Sequence, residues 1–201
     1  AEGDVLAPGP LRLAWTVEDP WGLAQAPLTL ELTTDGGATW GEVASGLPLS
    51  DGIPWDVPAL EASSGSCRMR LSVRSWLGDV SLITSEEFAI DVTPPSLAWE
   101  DTPGSVVEGR AYTVSVQAAD DLGLQGLVLH VTGEGGERTY QMTQGDDGIW
   151  THEYGAVGSD ASMWVTATDG VHSVDTPVRD LEVAVASGGG DASSSLAMEL
   201  V

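Results

Sequence analysis

The 201-residue chain contains no lysine, no asparagine and a single cysteine. Without lysine and asparagine, neither a Lys–Asn isopeptide cross-link nor an Asn-linked glycosylation site can form within it. A single cysteine excludes an internal disulfide. Cys67 alternates with apolar residues, so we interpret it as a buried structural thiol, with a covalent link between chains as the alternative. Stability must therefore come from packing, metal ions or assembly.

Basic charge and long apolar runs are also scarce. Seven arginines stand against 31 acidic residues, and the formal net charge is −24. Such a chain repels the phosphates of nucleic acids and of anionic lipids, so neither is an expected partner. No stretch reaches the roughly 18 to 20 apolar residues of a membrane span, and we expect no membrane insertion. Residues 1–4 suit a mature start after signal cleavage, so we expect an exported, extracellular or cell-surface protein.

What the chain does contain is a repeat. Apolar runs, Gly turns and Trp positions recur at a spacing of roughly 90 to 100 residues, the size of one domain. The segment 51–53 with Trp55, for example, corresponds to the segment 147–149 with Trp150. The repeat predicts one strand order in both halves. Met69, Leu71 and Val73 likewise match Met163, Val165 and Ala167.

Short alternating runs predict an all-β fold. They are five to eight residues long and separated by Gly, Pro, Asp and Ser, without a helical repeat. About seven strands in some 90 residues are typical of a β-sandwich. We predict sandwiches over residues 1–93 and 94–186 and a Gly-hinged, strand-like tail over residues 187–201. Predicted core residues are Trp15, Leu30, Leu71 and Ile90 in the first sandwich and Val116, Leu129, Val165 and Val183 in the second. Predicted strands cover residues 4–7, 11–17, 28–34, 39–43, 53–57, 67–75, 86–92, 97–100, 105–107, 111–118, 126–132, 137–143, 149–154, 162–168 and 179–186.

Three segments carry a resemblance to a known class of protein. Residues 11–19, the turn over residues 34–40 and the boundary over residues 90–95 resemble the tandem immunoglobulin-like and fibronectin type III-like repeats of bacterial extracellular proteins. The resemblance covers residues 5–186 and implies Greek-key sandwiches, but such repeats serve as stalks, filament subunits, spacers and sugar-binding modules. Two consecutive prolines at the boundary predict a stiff linker, and hence a rod.

The acidic turns are the candidate metal site. In an immunoglobulin-like sandwich, the loop after the second strand and the loop before the last strand share the end at which the chain enters. Asp120, Asp121 and Asp169 should therefore approach Asp91 in the linker. Converging carboxylates suit Ca²⁺ and resemble the calcium sites of cadherin-like and adhesin repeats. The alternative is plain acidic turns, in which Asp bonds its own backbone.

The sequence contains no recognisable catalytic motif. There is no Gly-x-Ser-x-Gly, no His-Glu-x-x-His and no phosphate loop. The histidines fall on different elements, and we interpret His130 and His172 as solvated surface residues. Carboxylates are plentiful, but two narrow sandwiches offer no cleft for a carboxylate pair. We therefore expect a protein that is not an enzyme and requires no cofactor.

Tryptophans support the alternative function, a glycan- or protein-binding accessory module. Trp21 and Trp76 fall in predicted loops at one end of the first repeat, where indoles could stack on sugars, cap the domain or pack on a partner. Four others, Trp15, Trp55, Trp150 and Trp164, fall in predicted strands and are expected to anchor the cores.

The C-terminal tail favours assembly. A glycine hinge precedes the apolar residues Leu196, Met198 and Leu200, which alternate as in a strand. Such a segment suits β-strand addition to an adjacent copy, and the alternative is a tail that folds back on its own domain. We expect a structural subunit of an extracellular filament, pilus-like fibre or surface assembly, which forms a homopolymer by head-to-tail strand addition.

Overall fold

The computed structural model describes residues 3–15, 23–47, 52–155 and 160–184, and the side chains of these except residues 23–27. The described residues form strands, and none of them belongs to a helix that could span a membrane. The strands in chain order are β1 (Val5–Leu6), β2 (Gly9–Leu13), β3 (Leu23–Thr33), β4 (Gly41–Leu47), β5 (Ile53–Val57), β6 (Ser64–Ser75), β7 (Val80–Thr84), β8 (Phe88–Ile90), β9 (Ser96–Trp99), β10 (Ser105–Val107), β11 (Ala111–Ala119), β12 (Gly126–Gly133), β13 (Gly136–Gln141), β14 (Thr143–Gln144), β15 (Ile149–Gly155), β16 (Ala161–Thr168), β17 (Ser173–Asp175) and β18 (Arg179–Ala184).

The first sandwich packs a large sheet against a small one. The large sheet has the order β1-β8-β6-β3-β4, with β7 also paired to β6, and the small sheet consists of β2 and β5. Strand β1 runs parallel to β8, and the other pairs are antiparallel. Alternate side chains of β3, β5 and β6 point into one core, which therefore takes residues from both sheets.

The second sandwich repeats this order. Its large sheet runs β10-β18-β16-β12-β13, with β17 paired to β16 and β10 parallel to β18. The predicted shared strand order is therefore confirmed for the large sheets, and the all-β fold of tandem sandwiches is confirmed with it. The small sheets differ, because β11 and β15 are flanked by β9 and β14. Within the described residues, the small sheet of the first sandwich contains no strand that corresponds to β9 or β14.

Both repeats share a local irregularity where the long strand of the large sheet changes partner. The Met69 amide donates to Ser85 Oγ at 3.0 Å, and the Ser85 amide donates to the Met69 carbonyl at 2.8 Å. In the second sandwich, the Val165 amide donates to Thr176 Oγ1 at 2.9 Å, and the Thr176 amide donates to the Val165 carbonyl at 2.9 Å. Met69 therefore corresponds to Val165, two residues beyond the Met163 that the sequence pattern matched to it.

Most predicted core residues are buried, with one clear exception among the tryptophans. Trp55 is buried and Trp15 packs at the margin of the first core. Trp164 does not anchor a core, because it lies between two buried residues of β16 and so points outward. Its ring stacks on His130 with centroids 4.8 Å apart. Buried as predicted are Leu30, Leu71, Ile90, Val116, Leu129 and Val165, whereas Val183 is half-buried.

His130 is not the simple solvated residue that its outward phase predicted. Its Nδ1 lies 2.9 Å from Glu137 Oε1, and its Nε2 lies 3.1 Å from Thr166 Oγ1. Together with the stack on Trp164, these contacts place the imidazole in a polar network on the outer face of the sheet. The period-two pattern located the side chain correctly but did not show that its neighbours would cover it.

The compact units of the fold do not follow the sequence repeat. The first unit comprises Ala1–Leu97, Ala118–Gly126 and Ala167–Val174, and the second comprises Ala98–Gln117, Leu127–Thr166 and Asp175–Val201. The loop after β11 and the loop after β16 thus belong to the first unit. The predicted border between residues 93 and 94 separates the two sequence repeats. These two loops lie after that border in the sequence but belong to the first compact unit.

Candidate functional sites

Asp91 follows β8 and is fully buried. Its Oδ1 accepts hydrogen bonds from Ser63 Oγ at 2.9 Å and from the Thr93 amide at 3.1 Å. Its Oδ2 is buried and has no hydrogen-bond partner among the described residues. A buried carboxylate oxygen without a partner is costly, because it has lost water without gaining a donor. Asp91 therefore offers a vacant acceptor in the interior.

Asp120 and Asp121 follow β11, in the loop that belongs to the first unit. Asp120 Oδ1 accepts from the Leu122 amide at 2.9 Å and from the Gly123 amide at 3.0 Å, the role of Asp in an ordinary turn. Asp120 Oδ2 is buried and again without a partner in the described part of the chain. One carboxylate oxygen each from Asp91, Asp120 and Asp121 lie within 4.8 Å of one another.

Asp169 follows β16 and is also buried. Its Oδ1 accepts from the Val171 and His172 amides, both at 2.7 Å, and its Oδ2 lies 3.1 Å from His172 Nδ1. Burial raises the pKa of Asp169, but the hydrogen bonds from the His172 and Val171 amides and from the imidazole outweigh it and leave the pKa below its usual value. This carboxylate is held in its ionised form by its own turn.

The same turn adds a residue that sequence reasoning missed. His172 was interpreted as a solvated surface residue, but its imidazole contacts Asp169 and offers a ring nitrogen within 4.8 Å of oxygens of Asp91 and Asp169. The spacing Asp-x-x-His across a Gly turn was the available signal, since a tight turn brings the third residue back to the first. The structure thus brings the other three predicted carboxylates close to Asp91, in two overlapping groups that share it.

The cluster of Asp91, Asp120, Asp121, Asp169 and His172 contains four carboxyl groups and no Lys or Arg side chain. Two ionised carboxylates whose oxygens lie within 4.8 Å of each other repel by roughly 3 kcal/mol or more at an effective dielectric constant of about 20. All five side chains lie in segments of the first compact unit. The loop after β11 and the loop after β16 are joined by a hydrogen bond from the Gln125 amide to the Thr168 carbonyl at 2.8 Å. The arrangement can bind a divalent cation or can consist of acidic turns alone.

A second feature, which we call the apolar cleft, lies in the first sandwich beside β2. It has a volume of about 560 Å³, and its lining is mostly apolar. Buried Trp15 Nε1 has no hydrogen-bond partner among the described residues, and Trp15 is one of the lining residues. Two sheets of unequal width explain the opening, because a two-stranded sheet cannot cover a six-stranded one. Other lining residues are Leu11, Leu13, Leu30, Met69, Ile83 and Phe88.

Strand β7 and the turn before it expose apolar side chains. Trp76 is 67% exposed and Leu77 is 71% exposed, and Val80, Leu82 and Ile83 are also exposed. The indole of Trp76 is therefore open to solvent, and Leu77, next to it in the chain, is exposed as well. Contiguous exposed apolar side chains are typical of protein contact surfaces. Trp21 and the tail residues Leu196, Met198 and Leu200 lie outside the described residues.

Comparison with known proteins shows the fold alone. No protein-family model matches the sequence, and no curated protein matches it. Among solved structures, the chain is similar to the I-band fragment I67–I69 from titin, with a TM-score of 0.51, 11% identity and coverage of 91% of this chain and 63% of that one. An ICAM-5 D1–D4 ectodomain fragment gives a TM-score of 0.44 with 16% identity and coverage of 92% and 52%. The FN1–FN3 domains of chicken CNTN1 give 0.38 with 15% identity and coverage of 89% and 63%. The chain spans less than two thirds of the length of each of these structures.

Proposed function

We propose that this protein is a non-enzymatic structural subunit of an extracellular filament or surface assembly, in which copies join head to tail by β-strand addition. The observation that supports it is the narrow sheet of the first sandwich, whose strand β2 borders the apolar cleft. A strand edge next to an uncovered apolar interior is the arrangement to which an extended segment adds.

The second sandwich indicates where the added strand would lie. There, β9 pairs with β11, the counterpart of β2, and completes the small sheet on that side. In the first sandwich, as far as the described residues show, the small sheet ends at β2. A strand placed there would gain main-chain hydrogen bonds from β2 and would cover side chains of the cleft, such as Leu11 and Ile83.

The occupant that we propose is residues 196–201 of a second copy. Leu196, Met198 and Leu200 alternate, so in an extended strand all three side chains point to one face. Six residues of strand span about 20 Å and the five of β2 about 17 Å, so the lengths match. Because donor and acceptor are different parts of the chain, the contact is heterologous and produces a fibre unless the rotation closes a ring.

Deletion of residues 187–201 tests the donor. The truncated chain should keep its β-rich circular dichroism spectrum, because the described strands do not include the tail, and it should no longer form fibres in negative-stain electron microscopy. A synthetic peptide of residues 196–201 should bind the truncated chain, and the same peptide with Met198→Glu should bind more weakly. Fibres that persist without the tail would refute strand donation from this end.

A pair of matched variants tests the acceptor. Ile83→Asp places a charge at the cleft, where the side chain is 60% exposed, whereas Val178→Asp changes an apolar residue of the second unit that is 65% exposed. Both variants should fold, because neither residue is buried. Only Ile83→Asp should weaken peptide binding and shorten fibres. Equal effects of the two variants would argue against the cleft as acceptor.

The alternative function is an adhesive or accessory module that binds a glycan or a cell-surface protein through Trp76. Exposure of its indole favours this alternative. Leu77, next to Trp76 in the chain, is apolar and exposed, so it suits a protein surface better than the polar edge of a sugar. Trp76→Ala should leave fibre formation intact if strand addition is the main function. Loss of glycan-array binding in Trp76→Ala would instead support the glycan module.

A further inference from the structure

We propose that Asp91, Asp120 and Asp121 bind one divalent cation, and that the ion is Ca²⁺. The ion would join the segment after β8 to the loop after β11 within the first compact unit. The proposal is independent of strand addition, because none of the three residues lines the apolar cleft.

Exposed carboxylates often gather in turns without binding an ion. The decisive observation is Asp91 Oδ2, which is buried on a fully buried side chain and has no hydrogen-bond partner among the described residues. Asp120 Oδ2 is also a buried atom without a partner in the described part of the chain, although the Asp120 side chain as a whole is half-buried. Protein interiors rarely leave such oxygens without a partner, so an unseen ligand explains both at once.

The hydrogen bonds show which oxygens remain for the ion. Asp91 Oδ1 accepts from Ser63 and Thr93, and Asp120 Oδ1 accepts from two amides of its own turn. The second oxygen of each carboxylate is therefore the one to coordinate a cation. Three carboxylates within 4.8 Å would repel one another, and a divalent charge converts that repulsion into attraction.

The chemistry of the ligands favours Ca²⁺ over a transition metal. Asp91, Asp120 and Asp121 offer oxygen only, which hard cations prefer. The competing group of Asp91, Asp169 and His172 includes a nitrogen ligand that Zn²⁺ prefers. In that group, however, Asp169 already accepts three hydrogen bonds from its own turn. The oxygens without partners are those of the first group, so we assign the ion to it.

Isothermal titration calorimetry and thermal unfolding of the full chain test the proposal. Both use Ca²⁺ as the probe against the chelator EGTA. We expect binding with a Kd of about 10⁻⁴ to 10⁻³ M, as in extracellular calcium modules, and a melting temperature that rises with Ca²⁺ concentration. An absence of binding heat together with identical melting curves in Ca²⁺ and EGTA would overturn the proposal.

Asparagine variants locate the ion. Asp120→Asn keeps Oδ1 as an acceptor for its turn but removes the charge, and Asp91→Asn does the same in the buried position. Each should weaken Ca²⁺ binding by roughly tenfold or more, equivalent to about 1.4 kcal/mol. The matched control is Asp147→Asn, since Asp147 Oδ1 also accepts a turn amide but lies in the second unit; its affinity should not change.

Two outcomes would contradict this location. Wild-type affinity for Ca²⁺ in Asp120→Asn would show that the ion does not use the loop after β11. Preferential binding of Zn²⁺ that is lost in His172→Gln would assign the site to the other group and overturn the choice of Ca²⁺. Because Asp120 is not fully buried, its variant should fold even if Asp91→Asn does not, so the location can be tested in either case.

Discussion

Replacing Thr176 with valine removes a single hydroxyl at the point where β16 changes partner. Thr176 is 4% exposed, and its Oγ1 is the acceptor for the amide of fully buried Val165 at 2.9 Å. Valine has nearly the same shape and an equal preference for strands, so the backbone has no reason to move. The amide of Val165 is then left in the interior without an acceptor.

The magnitude follows from two opposing contributions. A buried amide without a partner costs about 1–3 kcal/mol, and the added methyl group of valine returns at most ~0.8 kcal/mol through apolar burial. We therefore expect Thr176→Val to lower the free energy of unfolding by about 0.2–2.2 kcal/mol, with a central value of about 1 kcal/mol. Amide hydrogen exchange at Val165 should also become faster, since that amide loses its acceptor.

Ser85→Ala is the matched control in the first sandwich. Ser85 Oγ accepts from the Met69 amide in the same way, but Ser85 is exposed, so water can replace the hydroxyl. Its cost should stay below about 1 kcal/mol. Urea unfolding followed by circular dichroism measures both variants. If Thr176→Val is as stable as the wild type, or if the two variants cost the same, the hydroxyl is not the buried acceptor that the structure indicates.

Three further predictions concern other parts of the fold. Gly52→Ala should destabilise the first sandwich by at least ~2 kcal/mol in urea unfolding, because φ is 122° and a Cβ would overlap the Leu13 carbonyl oxygen; an unchanged midpoint would contradict this geometry. Ionised Asp169, whose pKa is low in the fold despite burial, should contribute stability above about pH 4 that is lost on acidification, so Asp169→Asn should flatten the acid limb of a stability–pH profile. Cys67 is fully buried, and burial raises the pKa of its thiol, so it should react with Ellman's reagent only on unfolding; rapid reaction of the native chain would show that the thiol is accessible.

Strands with one buried face were predicted well from the sequence. Residues 53–57 and 105–107 match β5 and β10 at both ends. In β5, alternation of exposed and buried side chains is visible in the sequence because one face is in the core. Strands β7 and β17 were missed. All five residues of β7 are exposed, so no alternation marks it, and it is held by backbone pairing to β6 instead.

The alignment of the repeats shows a related limit. A period of two fixes which face a side chain occupies, but it leaves the register free to shift by two residues. That freedom explains why the pattern matched Met69 to Met163 rather than to Val165. The hydrogen bonds to the hydroxyl groups of Ser85 and Thr176 show which residues of the two repeats correspond, and neither residue is part of an apolar pattern.

The candidate cation site was predicted in part. The loop arrangement of an immunoglobulin-like sandwich, which the resemblance implied, led us to group Asp120, Asp121 and Asp169 with Asp91, and the structure places them close to Asp91. The hydrogen bonds that occupy one oxygen of Asp91 and Asp120 and leave the other without a partner depend on loop geometry, which the sequence does not specify. His172 was missed because a histidine in a turn belongs to no apolar periodicity that would show that its side chain is half-buried.

The division of the chain between the two compact units has a consequence for folding during synthesis. The first unit contains residues 118–126 and 167–174, so it cannot be completed when residue 97 leaves the ribosome. Its last segment is made only after most of the second unit has been synthesised. When residue 97 leaves the ribosome, the core residues of the first sandwich have all been made, but the loops that carry Asp120, Asp121, Asp169 and His172 to Asp91 have not. A stop before residue 167 would therefore leave the first sandwich with all its core strands but without Asp169 and His172 beside Asp91.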